Sequence, residues 1–277
     1  MTLHSYALID GVKRQTAIKE IYTSKEPIQV IPLYMGTRFQ DVYDLGPILV
    51  ASINGGIIQK LQQDDWPKST SFITTEQPLS VVAEHLKQFT TIQSEAGSEV
   101  IFRFADPLVT YYWLNSYDDP LSNIMGPIQT WQVAKPQQAW YPDELEWHTF
   151  TNANTPVADF PLNQLGDPQM RALELAEGNR FNNKLYLWLV KENPAILEGK
   201  TPDEFSIWLN DAVNGARDFN LNTERTYALW VDLCADYGQD FATNPKGAYQ
   251  QWLTDNPEQK KLPADVKITN FHRYINQ

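Results

Sequence analysis

The sequence predicts a mixed α/β lobe, with a partly parallel sheet and flanking helices, followed by an all-α lobe. Three observations carry this. Up to residue 134, short β-branched runs alternate with helical patterns, and such alternation implies a partly parallel sheet covered by helices. Residues 135–168 are rich in Asn, Asp and Thr and hold Pro136, Pro142, Pro156, Pro161 and Pro168, the composition of an irregular connection and a domain boundary. Beyond it, apolar residues recur at three- and four-residue spacing, the period of amphipathic helices. The expected layout is an α/β lobe at 1–134, a connection at 135–168 and a helical lobe at 169–277.

Each element has its own signal. "SYALID" (5–10) is a short strand closed by Gly11. "IQVIPLY" (28–34) is rich in β-branched residues, and Pro32 assigns it to an edge or a break. "GPILVASI" (46–53) is a near-continuous apolar run ending at the turn "NGG", the pattern of a buried strand. The following "IIQKLQQ" fits a strand or a helix equally well. "SFITT" (71–75) is a strand, and Pro78 then opens a helix whose apolar face is Leu79, Val82, Ala83, Leu86 and Phe89. "EVIFRFA" (99–105) reads as a strand, "PLVTYYWLNSY" (107–117) as a helix and "PIQTWQVA" (127–134) as the last strand. In the helical lobe, 169–192 carries Leu173, Ala176, Phe181, Leu185, Trp188 and Leu189 inward. Thr201, Pro202 and Glu204 spell a capping box with proline at the first helical position. Further helices are expected at about 223–240 and, shorter, from Asn244-Pro245.

Composition narrows the function classes. The 277 residues are 42% hydrophobic and carry nine Trp and thirteen Tyr, enough for a substantial core and for aromatic anchors at an interface. The net charge is −12 and the pI about 4.7. That field repels phosphate backbones, so nucleic acid is not an expected partner. The N-terminal residues lack a basic start with a long apolar run, and no stretch approaches the ~20 apolar residues of a membrane span. With a single cysteine, Cys234, no internal disulfide forms. The reading is a soluble cytoplasmic protein without a membrane partner.

Candidate chemistry is sparse. No CxxC, HxxxH or HExxH occurs, and the Glu146/His148 pair falls short of the three or four ligands a metal needs. Neither a GxSxG elbow nor a glycine-rich phosphate loop is present. No metal or cofactor is expected. Cys234 shares helical spacing with Trp230 and Tyr237 and reads as a core residue. His85, beside Leu86 in an amphipathic helix, reads as a surface or boundary residue. The acidic pairs Asp64-Asp65, Asp118-Asp119 and Asp143-Glu144 sit at turns or element ends, where acids are common. One motif remains, Arg103 with Asp106-Pro107. Asp106 is a good N-cap, worth about 1 kcal/mol. Arg103, partly buried, needs acceptors for its guanidinium, either in an internal ion pair or in a ligand.

Several motifs occur in a telling order: "YALIDG" (6–11), "LYMGT" (33–37), "DLGPILVAS" (44–52), "WPKSTSFITTEQPLSVVAEHLKQF" (66–89), "EVIFRFADP" (99–107) and "IMGPIQTW" (124–131). In this order the chain resembles the effector chaperones, or adaptors, of the bacterial type VI secretion system (Tap/TEC type). It departs from their pattern at Ile48, Ala105, Leu108 and Met125. The resemblance implies a non-enzymatic cytoplasmic protein. Such proteins bind a toxic effector, through the effector's N-terminal region, keep it soluble and load it onto the spike protein VgrG. It also implies partner-binding roles for the motif positions Arg103, Asp106, Gly46, Pro47, Gly126 and Pro127. Two other functions fit the residues: an immunity-type inhibitor whose acidic face plugs a basic toxin site, and a small-molecule enzyme using Arg103 and Asp106.

Overall fold

The computed structural model describes residues 2–93, 99–117, 121–142, 144–153 and 162–276. Asp118, Asp119, Asp143, Pro156 and Pro161 lie outside the described residues. The chain forms two compact units, one from Met1–Gln137 and Glu144–Asn179, the other from Gln138–Asp143 and Arg180–Gln277.

The first unit is built on a six-stranded sheet. Its strands are β1 (His4–Asp10), β2 (Ile28–Pro32), β3 (Pro47–Ser52), β4 (Thr70–Thr75), β7 (Thr130–Ala134) and β8 (Trp147–Thr151), in the spatial order β2-β3-β1-β4-β7-β8. Helices α1 (Ala17–Tyr22) and α2 (Gly56–Leu61) complete a β1-α1-β2-β3-α2-β4 run. This is the split-βαβ, ferredoxin-like arrangement. The α/β character follows the expectation, but every ladder among the described residues is antiparallel. The one parallel contact is an isolated bridge, Gln93 to Gln164. Topology explains the difference. β1 and β2 run the same way, as a βαβ unit requires, yet β3 inserts between them and pairs antiparallel with both.

Both faces of this sheet are covered, which is why its central strands read as unbroken apolar runs. Ala7, Ile9, Ile48, Val50 and Phe72 pack against Ala17 and Ile21 of α1 and Ile57, Ile58 and Leu61 of α2. On the other face Tyr6, Leu8, Leu49 and Ile73 meet helices α3 (Leu79–Lys87), α4 (Pro107–Asn115) and α5 (Leu121–Met125). Trp113 is the hub there, 5.0 Å from Phe102 and 5.2 Å from Phe89 between ring centroids.

The undecided "IIQKLQQ" is helix. Gly55 takes a positive φ of 77° before it, and the Glu26 carboxylate accepts the Ile57 N–H at 2.9 Å, supplying the cap the loop lacks. Pro32 sits on β2, an edge strand, as the sequence predicts. β7 is not the last strand: "WHTFT" adds β8 beyond it, a run of strand-forming residues hidden among flanking prolines. The expected strand 99–105 is also shorter. Only Glu99–Ile101 (β6) is extended, and it pairs with β5 (Thr91–Gln93) in a separate two-stranded ribbon. After it the chain turns, with the Asp106 N–H bonded to the Arg103 carbonyl.

The second unit is helical. α6 (Asp167–Glu192) contributes its later turns to it. α7 (Pro202–Asp218) starts on the predicted capping box, Thr201 and Glu204 each bonding the other's backbone N–H. α8 (Glu224–Tyr237) and α9 (Ala248–Asp255) follow. An unexpected further helix, α10 (Ala264–Ile275), buries Ile268 and Phe271. Its Asp265 carboxylate accepts bonds from the Asn222 N–H and the Thr226 hydroxyl, fastening it to the start of α8. Trp230, Tyr249, Trp252 and Phe271 dominate the core. Trp140 anchors the short segment 138–142 to this unit, against Phe205 and bonded to Ser206.

Candidate functional site at the end of the central strand

Asp10 ends β1, directly opposite Pro47 of β3. Its side chain folds back on the turn, accepting the N–H groups of Val12 and Lys13 at 2.8 and 3.1 Å, the local bonding that makes Asp-Gly a turn signal. Arg103 reaches it from the turn after β6, with Nη2 2.6 Å from Oδ2. Asp106 lies next to this pair. As predicted, it caps α4 by accepting the Leu108 N–H at 3.1 Å. It is also bound at 2.6 Å by the Lys13 ammonium, with Arg103 3.7 Å away.

The result is a cluster of two carboxylates and two cations. The Asp10 and Asp106 side chains are 5% and 0% exposed, whereas Lys13 and Arg103 are 32% and 37% exposed. The acids are therefore the fixed floor and the cations the part that solvent reaches. Phe102 and Phe104, on either side of Arg103, are buried in the core, which aims the arginine at the acids. Its Nε is buried without a hydrogen-bond partner.

The first Gly-Pro element belongs to this site. Gly11 donates its N–H to the Gly46 carbonyl, and a Cβ on Gly11 would stand 2.2 Å from the Asp44 carbonyl oxygen. A Cβ on Gly46 would lie 2.5 Å from the Tyr34 ring. Two backbones and a phenol ring thus cross where only glycine fits. Burial first, and then the Asp10 charge, push the Tyr34 phenol above its ordinary value.

The second Gly-Pro element is elsewhere. Thr75, at the other end of the sheet from Asp10, donates its hydroxyl to the Pro127 carbonyl. Gly126 has a φ of 51°, and a Cβ there would stand 2.4 Å from the His85 ring. His85 is buried rather than a surface or boundary residue, bonded at 2.7 Å to the Ile124 carbonyl. Its helix face turns toward α5, which the amphipathic pattern alone does not reveal. So the structure brings together Arg103, Asp106, Gly46 and Pro47, and holds Gly126 and Pro127 apart from them. Sequence reasoning missed Asp10, Lys13 and Tyr34. Their signal is an acid closing an otherwise apolar strand just before a glycine.

Other candidates resolve simply. Cys234 is buried, and burial pushes its thiol up to about 12, which suits a core residue. Glu146 pairs with Lys135, and His148 meets the Tyr111 and Phe150 rings edge-on. Among the described residues no His/Cys/Asp/Glu group could hold a metal, and no helix is long and apolar enough to cross a membrane. A cleft of about 200 Å³ lies over β4, β7 and β8, lined by Thr74, Thr130, Gln132 and Thr149; no residue of the charged cluster reaches it.

Residues 5–122, which hold the whole charged cluster, match the family model described as a domain of unknown function, DUF4123. The chain is also 24% identical over 170 residues to the accessory protein VasW of Vibrio cholerae serotype O1 (strain ATCC 39315 / El Tor Inaba N16961). That match covers 61% of this chain and 54% of VasW, so the chain spans about half the length of the relative. No solved structure matches. The two matches bear out the resemblance to the type VI secretion effector chaperone and adaptor family.

Proposed function

We propose that this chain is a cytoplasmic adaptor-chaperone of a bacterial type VI secretion system. It binds a toxic effector, keeps it soluble and loads it onto the VgrG spike, without catalysing a reaction of its own. The observation that carries this reading is the coincidence of the DUF4123 match with the charged end of the sheet. There the acids are already engaged by internal cations, an arrangement suited to holding a surface in shape. In this reading Arg103 meets the partner, while Asp106, Gly46 and Pro47 position it from beneath. Gly126 and Pro127 act only through the fold of the opposite end.

Co-expression with a candidate effector toxin from the source cell tests the proposal. The toxin's soluble yield and its recovery on VgrG should both rise when this chain is present. If neither changes, the adaptor reading fails. A stable complex in which the toxin loses its activity would mark an inhibitor instead.

A further inference from the structure

The segment 35–45 is unusual in what it leaves outside. Its second half, Gln40–Leu45, is a 3₁₀ stretch with no buried residue although it contains Val42, Tyr43 and Leu45. An isolated run of this kind has little reason to hold one conformation, since short 3₁₀ pieces bond poorly. Here the backbone is clamped from below. Gly11 packs against the Asp44 and Gly46 carbonyls and bonds the latter, and Arg38 ties the segment to Glu99 of β6 at 2.8 Å. The clamp fixes the main chain and turns the apolar side chains out. Met35, Val42, Tyr43 and Leu45 are exposed on the segment, and Val100 and Ile101 on the ribbon it is tied to. Apolar groups gathered on a held surface mark an interaction site, and a pre-ordered surface loses less entropy on binding.

Charge selects the occupant. Lys13 and Arg103 are balanced by Asp106 and Asp10, and Arg38 by Glu99. Asp41 and Asp44 are exposed and make no ion pair among the described residues, on a chain of net charge −12. A second copy in a two-fold dimer would set these acids against themselves. A partner segment with apolar side chains interleaved with Lys or Arg would satisfy both features. We infer that the 35–45 segment and β6 form the effector-docking surface, and that the docked part of the effector is a basic, apolar segment. This rests on the adaptor reading.

The test uses the full chain and the effector that co-purifies with it from the source cell, identified and then produced separately. Two variants alter only exposed side chains: V42S/Y43S/L45S and D41K/D44K. Each should weaken effector binding at least about tenfold while circular dichroism and melting stay as in the wild type. Wild-type binding should also weaken as salt rises from about 50 to about 500 mM. Hydrogen exchange in the complex should show new protection at 35–45 and 99–101. Wild-type affinity in both variants would overturn the docking surface and leave the adaptor reading standing. Salt-independent binding, or a docked segment without basic residues, would overturn the basic occupant. Loss of a homodimer in the triple variant would assign the surface to a second copy. If no effector is recovered with the wild-type chain, both the inference and the reading beneath it fall.

Discussion

The two ends of the sheet make the same dipeptide do different work. At one end Gly46-Pro47 lets β3 pass beneath Tyr34 and beside Gly11, next to four charged groups, two of which reach solvent. At the other, Gly126-Pro127 sits under a buried histidine ring and is tied by carbonyl bonds to Thr75 and Asn152. At the charged end the glycine and proline are buried beneath cations that reach solvent; at the histidine end the glycine is itself exposed and rests against a buried ring. The comparison teaches that a glycine-proline landmark reports a close crossing of backbone. Whether that crossing serves a surface or a core is decided by the residues stacked upon it.

The sharpest way to break the comparison is at Asp106. A capping role alone predicts a loss of about 1 kcal/mol on truncation. The structure adds the Lys13 bond and the approach of Arg103 around a fully buried carboxylate. Truncation removes the cap and the charge-assisted bond to Lys13 together, so Asp106→Ala should cost about 3 kcal/mol in urea unfolding. Asp106→Asn keeps an acceptor for the Leu108 N–H and should cost less. If the two variants lose the same small amount, the cluster contributes only a cap.

At the histidine end, Gly126→Ala should cost about 2 kcal/mol, because the new methyl meets the His85 ring in a backbone region alanine avoids. Effector affinity, measured on the folded fraction, should not change. An affinity loss as large as that of a 35–45 variant would mean that the two ends are coupled.

Much of this fold is visible in the residues. The Thr201 capping box, the Pro32 edge and the Asp106 cap are local, and local chemistry is what a sequence states directly. Strand direction is not local. A strand covered on both faces shows the same apolar run whether its neighbours are parallel or antiparallel, so "GPILVASI" identifies burial correctly and says nothing of pairing. Strand β8 and helix α10 are short signals beside prolines. The site was half legible for the same reason. Arg103 and Asp106 lie three positions apart and announce each other, whereas Asp10 and Lys13 reach them from the opposite end of the domain's sequence, across a contact set only by the sheet.

Arg103 separates stability from binding at the charged end. Its loss leaves Asp10 with the Val12 and Lys13 amides, so Arg103→Ala should cost only about 1 kcal/mol. In the adaptor reading it should weaken effector binding further than that stability loss explains. Arg103→Lys restores charge without the planar fork and should recover stability better than affinity. Equal recovery of both would make the arginine a purely structural member of the cluster.

The smallest effect distinguishes the ends by pH. Burial holds the His85 imidazole below its ordinary value, and the bond to the Ile124 carbonyl offsets part of this. Donating to a carbonyl, Nε2 carries the proton of a neutral ring. As pH falls below about 6.5, the unfolded chain binds a proton that the folded chain does not. Stability from this group is therefore complete above that pH and declines as pH falls toward the depressed folded value, where the loss levels off. Glu20 and Asp65, held below the usual carboxylate range by their bonds to Arg14, lose their contribution only at lower pH. The two effects thus occupy different windows. Melting temperature should fall on going from about pH 7.5 to about pH 5.5, and His85→Gln should flatten that slope while remaining less stable overall. An unchanged slope in the variant would place the titrating group elsewhere and remove the one pH-dependent feature assigned to the histidine end.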